Sequence, residues 1–252
     1  MHSDKTRFQD YSHALEFDQR AARSDVRVQL CARLIEALGL MGQECVLDIA
    51  TGTGRFAFPV SGHLNGGRVV GVDEAFAMLR VAREKIQKES MSGYLQAVGD
   101  AEVLPFRDGS FDCAFVAFSL HHFGRSSLVV QETRRVLKSA SKFAVLDPVV
   151  LKAKDSLDES LNNLINQVFR RSHGEEFRFY SAEEIRGLLG KEGFEIKRAD
   201  LHSFSFDQDG MEGIPTGRHW LEVAEELQGG RDEMRERFEK NYFQYRKKGE
   251  VA

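Results

Sequence analysis

The clearest chemical character in the chain belongs to two aspartates and the glycines between them. Residues 46–54, VLDIATGTG, read as a short apolar strand that ends in an acid, Asp48, and breaks at once into a glycine loop. Buried parallel strands are short apolar runs, and Gly52 and Gly54 permit tight turns and a close ligand approach that a Cβ would obstruct. Residues 55–61 can open a helix whose first amides face the same spot. A ligand site is expected here, and Asp48 selects the sign of its charge. A carboxylate at this point would repel the pyrophosphate of a dinucleotide where the dielectric is reduced, whereas a ligand carrying positive charge fits. Residues 68–73, RVVGVD, form a second strand ending in Asp73, 21 positions beyond Gly52 (73 minus 52). An α/β nucleotide fold places there the carboxylate that takes the ribose hydroxyls.

The elements that must hold these groups alternate between strand and helix. Apolar positions at Ala22, Val26, Leu30, Leu34 and Leu38 make the stripe of an amphipathic helix over 21–38, stopped by Gly39. The first strand covers 45–50, a helix runs to about 63, and residues 74–89 read as a helix with Met78, Leu79, Ala82 and Ile86 on one side. Met78 lies one turn beyond Asp73, where it can contact an adenine or fill core. Further strands are expected over 94–99, 111–118 and 142–147, the second an almost wholly apolar run suited to a central strand buried on both faces. From its carboxyl end, where open α/β sheets bind ligands, leads Ser119-Leu120-His121-His122-Phe123. Residues 127–138 predict a helix, residues 155–171 an inserted one able to close over a cleft, and Ser181 to Glu184 a capping box. Residues 194–206 look strand-like, 207–219 read as loop, and the charged tail from Trp220 reads as helical with a solvated face.

In order and spacing, DIATGTG, VVGVDEAFAML, GDAEVLPFRDGSFDCAFVAFSLHHF and ETRRVLKSASKFAVLDP resemble the motifs of class I S-adenosylmethionine-dependent methyltransferases, particularly the group that includes the ubiquinone/menaquinone C-methyltransferases. The resemblance covers residues 40–148 and, more weakly, 177–201. It departs at Ala50, where the family carries its first glycine, and at residues 138–142, which replace a glycine-rich turn. It implies a Rossmann-like doubly wound, mostly parallel α/β sheet of about seven strands with helices on both faces, a helical insertion after strand five and a helical C-terminal tail. The domains expected are an N-terminal flap or disordered lead over 1–20, a methyltransferase domain over 21–206 with its lid at about 149–176, and a charged helical extension over 207–252. The resemblance implies S-adenosylmethionine as cofactor and S-adenosylhomocysteine as product. Asp48, Ala50, Gly52 and Gly54 would enclose the methionine end, Asp73 the ribose, Met78, Asp100 and Ala101 the adenine, and Ser119 the far wall. Tyr11 in the N-terminal segment is a candidate for the aromatic cleft wall that such enzymes use.

The activity implied is transfer of a methyl group to an O or C atom of a small molecule, a phenol or quinone-like ring among the candidates. A sulfonium is displaced in line, so the protein mainly aligns the reactants. A phenol, with a pKa near 10 like that of tyrosine, would gain from a histidine base. His121 and His122 are nearest along the chain, while His173, His202 and His219 can arrive from the insertion or tail. SLHHF stands where methylases of planar amines carry an asparagine-proline-proline-tyrosine type signature. Two rival readings are a non-catalytic S-adenosylmethionine-binding partner and an NAD-dependent oxidoreductase, since residues 52–57 also satisfy GxGxxA.

Composition narrows the partners. A net charge of −4 over 252 residues shows no basic excess for nucleic acid. Cys31, Cys45 and Cys113 lie far apart without zinc-type spacing, so no metal is expected. The first residues contain no apolar signal region, and no window approaches the roughly 18 apolar residues of a membrane span. A soluble cytoplasmic enzyme is expected, its partner a small-molecule methyl acceptor, with a homo-oligomer left open.

Overall fold

The computed structural model describes residues 8–21, 26–203, 217–229 and 232–242. The elements run α1 (Tyr11–Ala21), α2 (Val26–Leu38), β1 (Cys45–Ile49), α3 (Ala57–His63), β2 (Arg68–Asp73), α4 (Phe76–Glu89), β3 (Tyr94–Val98), β4 (Phe111–Ala117), α5 (Ser126–Val136), β5 (Leu137–Leu146), β6 (Val149–Val150), α6 (Ser156–His173), β7 (Tyr180–Ser181), α7 (Ala182–Lys191), α8 (Gly217–Leu227) and α9 (Asp232–Asn241). Five strands form one parallel sheet in the order β3–β2–β1–β4–β5. The strand order reverses beside β1, so the carboxyl ends of β1 and β4 flank the crevice where such sheets bind ligands.

Apolar strands at the centre explain the two-sided core. One layer joins Leu30, Leu34 and Leu38 of α2 to Val46, Val60, Val69 and Phe115, and the other joins Leu47, Ile49, Ala114 and Val116 to Val129 and Val136 of α5. Side chains alternate along each strand, so β1 and β4 feed both layers. A third core stands apart. It is built by Leu161, Ile165 and Phe169 of α6 with Val223 and Leu227 of α8 and Phe238 of α9. The inserted helix and the charged tail thus share one interior, which their separate stripes did not reveal.

Local chemistry sets the ends of several elements. Asp155 caps α6 by accepting the amide of Asp158 at 2.9 Å, and Ser181 with Glu184 forms the expected capping box of α7. The structure also departs from the sequence reading. Residues 11–21, where no period was visible, are helical and lie on α4 through Ala14, Ala77, Met78 and Val81. β5 begins at Leu137 rather than 142, because a register shift opposite Phe111 and Cys113 absorbs the extra residues and Ala140 takes φ 59°. Residues 194–203 pair with no strand. Charges alternate through them, and Arg198 is held by Glu36 and Asp200 instead of by a ladder. The described strands therefore number five in the main sheet, with β6 and β7 a separate parallel pair. Residues 217–219, read as loop, open α8, while 204–216 lie outside the described residues.

Candidate functional site

The carboxyl ends of the strands open into a broad cleft, part of an opening of about 2360 Å³ that also runs between α2 and the amino end of β5.

Its first wall is the glycine loop after β1. Asp73 organises that loop: Oδ2 accepts the Gly52 amide at 2.7 Å and Oδ1 the Ala75 amide at 2.8 Å. Each oxygen keeps a further lone pair for a ligand hydroxyl. Burial outweighs the pull of these two amides and pushes the Asp73 carboxyl up to about 6. Gly52 has φ 55°, and a Cβ there would sit 3.3 Å from Met78 Cε, so Met78 lies directly against the loop. Ala50 also takes a positive φ, 54°, the conformation in which a glycine would be free of strain. The helix after the loop, α3, has only seven residues, and Phe56 at its N-cap lines the cleft with the loop.

Asp48 and Gly54 correct the expectation most. Neither lines the cleft. Asp48 is 2% exposed beneath the loop, accepts the Thr51 hydroxyl at 2.6 Å, and is pushed up to about 8 by burial. The space left by the missing Cβ of Gly54 is filled by the rings of Phe58 and Tyr94, not by a ligand. Both residues shape the loop from behind. Asp100 stands exposed at the rim, its Oδ1 accepting the Glu102 amide at 2.8 Å, and Ala101 lies beside it on the cleft wall.

The opposite wall comes from the end of β4. Phe118 takes φ 55° and stacks on Phe56, and Ser119 Oγ donates to the Ala117 carbonyl at 3.2 Å. Two non-glycine residues in the left-handed region thus end the two central strands, and such strain clusters at functional sites. His121 and His122 follow in a single 3-10 turn. His121 Nδ1 lies 2.9 Å from both oxygens of Asp147, and its backbone amide donates to the same carboxylate at 3.1 Å. The two side chains are 5% and 1% exposed. A carboxylate only accepts, so Nδ1 carries the proton, and in the neutral ring Nε2 is the acceptor nitrogen. The His122 ring lies 4.3 Å from that of His121 and 5.6 Å from that of His173. Phe177 packs against all three histidines, and His219 of α8 approaches His173 with the Ser172 hydroxyl between them. The insertion and the tail therefore bring their histidines to the end of the cleft.

The N-terminal helix closes the near side, but not through Tyr11. That ring lies under Arg80 and its hydroxyl donates to Glu84, away from the cleft. Phe8 and Phe17 line the cleft instead, and Asp18 accepts the Thr53 hydroxyl at 2.6 Å, tying α1 to the loop. Sequence reasoning missed Asp147, Thr51, Tyr94 and Asp18. Asp147 alone carried a visible signal, an acid closing an apolar strand as Asp73 does. Among the described residues no group of His, Cys, Asp and Glu is arranged to hold a metal, and no helix is long and apolar enough to cross a membrane.

A parallel sheet with this strand order and a glycine loop at its switch point defines a Rossmann-like nucleotide-binding fold. A family model described as a methyltransferase domain matches residues 47–145. The ubiquinone/menaquinone biosynthesis C-methyltransferase UbiE of Hahella chejuensis is 32% identical over 187 residues, covering 68% of this chain and 74% of that protein. Its counterpart in Pseudomonas paraeruginosa is 35% identical over 160 residues, and the chain spans only 62% of that relative's length with 60% of its own. Among solved structures, the YcgJ protein from Bacillus subtilis superposes with a TM-score of 0.69 at 25% identity, covering 82% of this chain and 86% of that one. The chain belongs to the S-adenosylmethionine-dependent methyltransferase family that contains the UbiE-type C-methyltransferases.

Proposed function

We propose that the protein transfers a methyl group from S-adenosylmethionine to an O or C atom of a small molecule that gives up a proton, a phenol or quinone-like ring (EC 2.1.1). The carrying observation is that one cleft holds the Asp73-bound glycine loop on one wall and the His121–Asp147 pair on the other. The residues fit the cofactor. Gly52 leaves the loop open where a side chain would press on Met78, and Asp73 retains acceptor capacity after binding two amides. S-adenosylmethionine supplies, when bound, a methyl group on a positively charged sulfur that a nucleophile displaces in line.

The chain's own groups divide the work. Asp73 takes the ribose hydroxyls, and Asp100 with the Ala101 amide reads the adenine edge, with Met78 against its face. Ala50 and Gly52 surround the methionine end, and Ser119 forms the wall opposite. Asp147 holds the His121 ring in one tautomer, so Nε2 receives the acceptor's proton. His122 lines the chamber next to it. Trp220, brought by the tail, lines that chamber, and its face suits a flat ring. The name of the Hahella and Pseudomonas relatives favours a ring carbon of a quinone-like acceptor.

Release of S-adenosylhomocysteine across a panel of phenols, quinols and amines tests this reading. Turnover with phenols or quinols is expected. Turnover with amines alone would overturn the acceptor class, and silence across the whole panel with retained cofactor binding would favour a non-catalytic binding partner.

A further inference from the structure

Beneath the glycine loop lies a row of hydrogen-bonded side chains that the reaction above does not use. Tyr94, the first residue of β3, is 2% exposed. Its hydroxyl lies 2.8 Å from Thr51 Oγ1, which in turn lies 2.6 Å from Asp48 Oδ2. Two glycines make the space for this row. A Cβ on Gly71 would stand 2.7 Å from the Thr51 side chain, and one on Gly54 would stand 2.9 Å from the Tyr94 ring. The edge of Phe58 against Tyr94 then fixes the phenol in place.

The row has a direction set by Asp48. An ionised carboxylate only accepts, so Thr51 donates to it and must itself accept from Tyr94. Burial drives the Tyr94 phenol well above its ordinary value, which leaves its proton available to give. Hydrogen bonds that point the same way polarise one another, so the row favours the carboxylate against the burial that disfavours it. Asp73 faces Asp48 from β2 with like charge, while its ladder neighbours Gly71 and Phe115 bring none. Tyr94 and Thr51 are thus the groups that keep Asp48 able to ionise.

We propose that Tyr94 is a positioning residue for cofactor exchange: through Thr51 it favours the carboxylate form of Asp48 behind the loop, and in that form Asp48 selects the sulfonium cofactor over its neutral thioether product. The proposal rests on the function proposed above. Cofactor and product share adenine, ribose and amino-acid ends and differ in charge only at sulfur. An anion behind the loop therefore attracts one and not the other, and the attraction ends when the methyl group leaves.

Titration calorimetry on the full chain with S-adenosylmethionine and with S-adenosylhomocysteine, from pH 6 to 9.5, reads the ratio of the two affinities. Protonation of Asp73 at the ribose affects both ligands alike and cancels in that ratio. In the unaltered protein the ratio should rise with pH as Asp48 ionises. Tyr94→Phe and Thr51→Val should lower it about five- to tenfold at pH 7.5 and move the rise upward, as a pKa displaced by about one unit requires. Thr51→Ser keeps the hydroxyl and should retain the ratio. Equal weakening of both ligands would show a merely structural row, and an unchanged ratio in both variants would equally overturn the proposal. Should Tyr94→Phe fail to fold, the Thr51→Val and Thr51→Ser pair decides alone. No binding of S-adenosylmethionine to the unaltered protein would instead refute the function on which this rests.

Discussion

At Ala50 an L-residue occupies the left-handed region, at φ 54°, where the family's glycine would carry no penalty. Ala50→Gly should therefore raise stability by about 1 kcal/mol in urea titration, even though glycine loosens the unfolded chain. Asp48 makes a second prediction, with a sign that follows from burial. Its folded value of about 8 lies above that of an unfolded aspartate, so the folded state holds a proton that the unfolded state has lost. Stability falls as pH rises from the ordinary carboxylate range to about 8, and is level beyond. Asp48→Asn removes that slope, and melting experiments should show the variant gaining on the unaltered protein between pH 5 and 8.5. The opposite trend would mean that Asp48 is ionised and well paired. Asp147→Asn keeps the shape but loses the acceptor that fixes the His121 tautomer, so kcat should drop about 10²-fold or more with cofactor affinity unchanged. Of these residues Asp48, Asp73 and the histidine pair were legible, because acids and histidines at strand ends are visible in a linear pattern. Which side of the loop Asp48 occupies was not, since burial depends on Tyr94 and Gly71, which arrive from two other strands.

Elements followed their periodicity where one partner sufficed to bury them. β1, β2 and β4 are short apolar runs, and they end within a residue of the expected positions. The inserted helix was equally plain in its apolar stripe, though its Asp155 cap was not. Long-range partners decided the rest. α1 is helical because Ala14 packs on α4 and Tyr11 on Arg80, contacts that no local period in residues 8–21 displays. Residues 194–203 have the alternation of a strand without the pairing. The shared core of α6, α8 and α9 gives a test at this scale. Phe238 is 1% exposed within it, and Phe238→Ala should cost about 3–5 kcal/mol if the unit is as tightly packed as other cores. Hydrogen exchange should then quicken in α6, α8 and α9 together while β1 and β4 keep their protection. Faster exchange confined to α9 would show that the insertion and the tail do not share one cooperative unit.

Across the whole molecule, the sheet brings acids at the ends of β1 and β2 beside one loop, while α1 and the helical insertion wall the cleft on either side. We read this arrangement as the site of an adenosyl sulfonium rather than a dinucleotide, although the GxGxxA pattern and Asp73 satisfy both by sequence alone. The family match sets the two apart, since a methyltransferase domain spans residues 47–145. Calorimetric titration of the full chain with S-adenosylmethionine and with NAD, repeated on Asp73→Ala, tests that claim most directly. Saturable binding of S-adenosylmethionine without NAD binding is expected, weakened at least about tenfold in the variant, as loss of a charge-assisted hydrogen bond to the ribose requires. Tight NAD binding with no response to S-adenosylmethionine would contradict the account, and an unchanged affinity in Asp73→Ala would remove the ribose clamp from it.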